Sequence, residues 1–99
     1  MLINRTAENE KLTFSIEGRL DTTTAPRLQE VLLPAFDETK EITLDFTNLD
    51  YVSSAGLRVL LMGHKEAKKK GGAMTVINVS PDVLEVLEMT GFTDMLSIV

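Results

Sequence analysis

Ninety-nine residues, 43% hydrophobic and 25% charged, describe one globular domain and argue against both a disordered chain and a membrane-spanning one. A formal charge of −5 disfavours DNA or RNA as a main partner, because phosphate binding wants a basic surface. The absence of cysteine excludes disulfides, thiol catalysis and cysteine-ligated metals, and fits the cytoplasm.

The pattern begins with LINRTA, residues 2 to 7, a weakly alternating strand candidate. No leader peptide is expected, since Met1-Leu2-Ile3 gives way at once to Asn4 and Arg5. Glu8-Asn9-Glu10 is a polar turn. Lys11 to Glu17 alternates cleanly, with Leu12, Phe14 and Ile16 inward, so the two segments suggest a hairpin that Gly18 ends. Asp21-Thr22-Thr23-Thr24-Ala25-Pro26 is a helix entry, with threonines near the cap and proline in the first turn. That helix carries Leu28, Val31, Leu32 and Ala35 on one face, and Pro34 should kink or end it near Leu33.

Glu41 to Lys70 is the most informative stretch. Ile42, Leu44 and Phe46 face one way and Thr43, Asp45 and Thr47 the other, which predicts a strand with one buried face. Asn48 to Asp50 reads as a turn. Ser53 and Ser54 then stand directly before Ala55-Gly56-Leu57 and a helical pattern that Gly71-Gly72 stops, with Lys68 to Lys70 in its last turn. Ala73 to Val79 is a further strand. Ser80-Pro81 opens a short helix marked by Val83, Leu87 and a stop at Gly91, and Met95 to Val99 is either an edge strand or a helical turn.

Alternation of strand and helix after the hairpin implies parallel neighbours and right-handed crossovers. Strands covered on both faces read as continuous apolar runs, and two of these alternate instead. The expected fold is therefore α/β: a single domain over residues 1–99, with a mixed four- to five-stranded sheet, helices mainly on one face and the other face wet.

Catalytic chemistry is hard to find. His64, the only histidine, lies in line with Leu57, Leu60 and Leu61 and reads as a core or boundary residue. No Gly-x-Ser-x-Gly, Walker or dinucleotide glycine pattern is present, and no spacing suggests a metal site. No cofactor is expected. The serine pair has two readings. In one, a serine caps the helix and the other fills the turn. In the other, a hydroxyl is phosphorylated, which would add about −1.5 to −2 charges at a helix mouth that tolerates them. Ala55, Val59, Met62 and Glu66, with Arg58 beside them, fall opposite the leucine stripe of this helix. They either pack on neighbouring helices or form a partner surface running from the serines.

The run LDFTNLDYVSSAGLRVLL resembles the signature of STAS domains, in particular the bacterial anti-sigma factor antagonists. EGRLDTTTAPRL resembles the family's Gly-x-Leu-Asp loop and first helix, and KKKGGAMTVINVSPDVLEVLEMTGF its third segment. The resemblance implies partner switching. The bare antagonist binds an anti-sigma factor serine kinase and so releases a sigma factor. The kinase uses ATP to phosphorylate the antagonist, and a metal-dependent serine/threonine phosphatase restores binding. By position in the family pattern Asp-Ser-[Ser/Thr]-Gly-Leu, the acceptor here is Ser54, with Gly56 and Leu57 following and Asp21 as the loop aspartate near the phosphosite. Ser53 replaces the usual aspartate and is an alternative acceptor; Ala55 replaces the second hydroxyl. The expected docking surface comprises Asp21, Thr22, Ser53, Ala55, Gly56, Arg58, Val59 and Met62 on a monomer. Rival readings are a STAS scaffold never phosphorylated, in a signalling or lipid-transport complex, and a small enzyme or nucleotide binder using Ser54, Asp21 and Asp50.

Overall fold

The first hairpin joins β1 (Leu2–Glu8) to β2 (Lys11–Leu20) in an antiparallel pair running from Leu2↔Glu17 to Glu8↔Lys11. A computed structural model describes all 99 residues. The two-residue loop Asn9-Glu10 has φ of 51° and 66°, the doubly left-handed geometry of a tight hairpin turn. The remaining strands run parallel to β2: β3 (Glu41–Asp45), β4 (Leu49–Val52), β5 (Ala73–Ile77) and β6 (Ser97–Ile98). The order is β1-β2-β3-β5-β6, with β4 paired to β2 off this path, which gives a mixed six-stranded sheet.

Two features extend the expected sheet. The second strand does not stop at Gly18. That glycine sits at φ 94°, where a side chain is disfavoured, and marks an irregularity in the ladder after which Arg19 pairs Tyr51 and Leu20 pairs Val52. Consequently the segment expected as a turn contains the start of β4, whose Leu49 is buried.

Helices α1 (Ala25–Ala35), α2 (Ser54–Lys69) and α3 (Pro81–Met89) close the core, followed by one 3-10 turn, Phe92–Asp94. Leu12, Phe14, Ile16, Ile42, Leu44, Met74 and Val76 from the sheet join Leu28, Leu32, Leu60, Val83 and Leu87 from the helices in one cluster of 23 buried residues. No polar side chain is buried. The α1 helix runs two residues beyond Leu33, accommodating Pro34 in its last turn, and its Val31 is exposed. On the other face of the sheet the register aligns Thr6, Thr13, Thr43, Thr75 and Ser97 in one row across five strands. These hydroxyls are why that face tolerates water: threonine fits a pleated surface without demanding a cover, and cross-strand threonine pairs are mildly stabilising.

Candidate functional site

Parallel strands β2 and β4 end side by side, so the segments leaving them meet at their carboxyl ends, the usual place for function in open α/β sheets. After β2 comes the turn Asp21–Thr24; after β4 come Ser53 and Ser54. The Ser53 N–H donates to Leu20 O at 2.9 Å, which ties the start of α2 to the end of β2. A Cβ on Gly56 would stand 2.7 Å from Leu20 Cγ and 3.0 Å from Leu20 O, so only glycine lets the first helical turn sit this close.

The two serines have separate roles. Ser53 is the N-cap: its backbone is extended, and its Oγ accepts from the Gly56 N–H at 3.2 Å. Ser54 is the first helical residue and is exposed, its hydroxyl outside that cap. Leu57 N–H makes the first helical bond, to Ser53 O. The N–H groups of Ser54 and Ala55 are left over by helix geometry, at the positive end of the dipole.

Asp21 organises the facing turn. Its Oδ1 accepts from the Thr23 N–H at 3.0 Å, the Thr23 hydroxyl at 2.8 Å and the Thr24 N–H at 3.1 Å. The Thr23 hydroxyl above all, with the backbone N–H groups of Thr24 and Thr23, holds the Asp21 carboxyl below its ordinary pKa, so it stays charged beside the helix mouth. Thr24, the α1 N-cap by position, makes no side-chain cap to its helix; its hydroxyl donates instead to Arg19 O at 2.8 Å. The aspartate, not a threonine, thus shapes this entry.

The expected docking residues divide. Asp21, Thr22, Ser53, Ala55, Arg58 and Met62 lie at the surface, Thr22 and Arg58 exposed and the others partly so. Val59 and Gly56 do not: Val59 is 3% exposed within the core, and Gly56 is covered by Leu20. The reason is the buried face of α2, formed by Gly56, Leu57, Val59, Leu60, Gly63 and Ala67. It is rotated from the leucine stripe toward small residues that let α2 approach its neighbours. A Cβ on Gly63 would meet both Leu32 Cδ2 and Met74 Sδ at 2.8 Å. Leu61 is only half-buried, and His64 is a boundary residue, as expected. Burial, with a smaller contribution from Lys68, pushes the His64 imidazole below its ordinary 6.5.

Arg19 and Tyr51 also belong to this surface. The Arg19 guanidinium lies 4.1 Å from the centroid of the Tyr51 ring and 3.8 Å from the Asp21 carboxylate. Tyr51, the only tyrosine, is 39% exposed. The pair is visible only once β2 continues past Gly18 and β4 exists to meet it.

Comparison with known proteins agrees with this fold. A family model for the STAS domain matches residues 3–99. The anti-sigma-B factor antagonist of Bacillus subtilis (strain 168) is 30% identical over 91 residues, 92% of this chain and 83% of that protein. An anti-sigma factor antagonist from Mycobacterium paratuberculosis superposes with a TM-score of 0.87 at 19% identity, covering 98% of this chain and 83% of that one. The Bacillus cell fate determinant SpoIIAA in its phosphorylated form does so with a TM-score of 0.78 at 18% identity, covering 99% and 91%. The exposed serine at the helix mouth therefore stands on a known scaffold: the chain belongs to the STAS domain family, and its homologues are anti-sigma factor antagonists.

Proposed function

We propose that this protein is a cytoplasmic anti-sigma factor antagonist that works by partner switching at Ser54. The bare form docks on an anti-sigma factor serine kinase and so frees a sigma factor. The Ser54 hydroxyl oxygen then attacks the γ-phosphorus of kinase-bound ATP. An O–P bond to Ser54 forms, the bond to the ADP oxygen breaks, and the hydroxyl proton passes to a base on the kinase. A serine/threonine phosphatase reverses the modification.

The observation that carries this reading is the division between the serines. Ser53 is held by the cap and Ser54 is presented to solvent at the first helical position. Phosphoserine there receives support from the helix N-terminus, so the added charge acts on the partner without unfolding the domain. Ser53 in place of the family's aspartate keeps the capping function and removes one negative charge beside the acceptor.

Incubation with the kinase and ATP, followed by mass-spectrometric mapping, tests it. Phosphate is expected on Ser54, with labelling abolished in Ser54→Ala. Phosphate confined to another residue, or undiminished labelling of Ser54→Ala, overturns the assignment.

A further inference from the structure

Half of the ten lysines and arginines in this acidic chain are already engaged. Arg5, Lys11, Arg19 and Lys70 pair with Glu38, Glu41, Asp21 and Asp37, and the Arg27 guanidinium donates to Met1 O. Of the five that remain, Lys40 stands apart and Arg58, Lys65, Lys68 and Lys69 all belong to α2, where every one is exposed. Set against the single acid Glu66, they make this helix net +3 in a chain of net −5. They share the outward side with the half-exposed Leu61 and Met62, and the strip starts at Ser54. At 1.5 Å per residue it runs for roughly 22 Å, nearly three Debye lengths of about 8 Å in physiological salt.

We infer that this outward face of α2 is an electrostatic docking strip, and that the surface it meets on the anti-sigma partner is acidic with an apolar centre. The inference rests on the phosphoswitch reading and adds the chemistry of the partner. Charge complementarity carries it: exposed cations without intramolecular partners, aligned on one helix of a protein otherwise strongly negative, favour an anionic surface and steer its approach. Leu61 and Met62 supply the contact that distinguishes a protein surface from a purely ionic one. The strip also explains the sign of the switch. A phosphoryl group of about −1.5 to −2 charges at its head cancels part of its field and repels the acid it was built to receive.

Calorimetry with the anti-sigma kinase that labels Ser54 tests the strip. Binding of the bare protein should weaken about tenfold between low and physiological salt. The variant Lys65→Glu with Lys68→Glu loses a favourable charge in the last helical turn and should melt a few degrees lower, yet stay folded at the temperature of the titration and bind at least tenfold more weakly, and Lys40→Glu should bind as the native protein does. A kinase that labels Ser54 yet binds the double variant with native affinity overturns the strip and leaves the switch standing. Sedimentation with phosphatidylserine vesicles that is lost in the double variant, with kinase affinity unchanged, assigns the cations to a membrane and overturns it too. A kinase that neither binds nor labels the native chain removes both proposals.

Discussion

Adjacent serines with the same side chain acquire different chemistry from one backbone step. At Ser53 the chain is still extended, so the hydroxyl turns back over the first turn and accepts from Gly56. At Ser54 the chain is already helical and the hydroxyl points away. Ser53→Ala should therefore lower stability by about 1 kcal/mol through the lost cap, measured by denaturant unfolding, while Ser54 is still labelled by the kinase. Which serine caps the helix is open in the local helix-start pattern, because either satisfies it; the backbone angles make Ser53 the cap, while Ser54 as acceptor is the proposal that the family pattern supplies. His64 gives a second residue-scale expectation. Its folded pKa lies below the ordinary 6.5, so the folded state resists protonation. Its contribution to stability is complete above about pH 6.5 and is lost as pH falls through the depressed value. Thermal unfolding between pH 8 and 5 should show this decline, and His64→Gln should flatten it; a profile unchanged by the substitution contradicts the linkage.

Elements with regular alternation are legible in the sequence, and elements made by irregularity are not. Leu12, Phe14 and Ile16, then Ile42, Leu44 and Phe46, alternate without interruption, and all six are buried. The Ser80-Pro81 start of α3 is likewise a local signal, confirmed by Ser80 Oγ accepting from the Val83 N–H at 3.3 Å. By contrast β4 is four residues long with ends buried and middle exposed, and its existence depends on the positive φ at Gly18, a glycine that reads equally well as a strand terminator. The buried face of α2 departs from its leucine stripe for a related reason. Gly56, Gly63 and Ala67 have little apolar bulk to count, yet close packing needs their smallness, and Val59 turns inward with them. The hairpin offers a test at this scale. Glu10 holds φ 66° at a turn position that favours glycine, and its backbone carbonyl accepts from the Thr39 hydroxyl whatever side chain it carries. Glu10→Gly should raise the denaturation free energy by about 0.5–1 kcal/mol. A loss of stability would show that the side chain contributes something the turn geometry does not reveal.

Over the whole molecule, the fold separates the parts that must stay rigid from those that must meet a partner. One core cluster lies between the sheet and its helices, the hydroxyl row covers the opposite face, and the carboxyl ends of β2 and β4 carry the candidate switch. The family resemblance locates this region because its motif spans the loop and helix start. It does not reveal Arg19 and Tyr51, which meet through a register that no local pattern announces. No helix is long and apolar enough to cross a membrane. The central claim is that charge on one exposed hydroxyl decides docking, and a phosphate that leaves affinity unchanged shifts no population. The most direct measurement is calorimetric titration of the anti-sigma kinase with bare and Ser54-phosphorylated protein. The expected result is at least a tenfold loss of affinity on phosphorylation, about 1.4 kcal/mol or more; equal affinity of the two forms would contradict it.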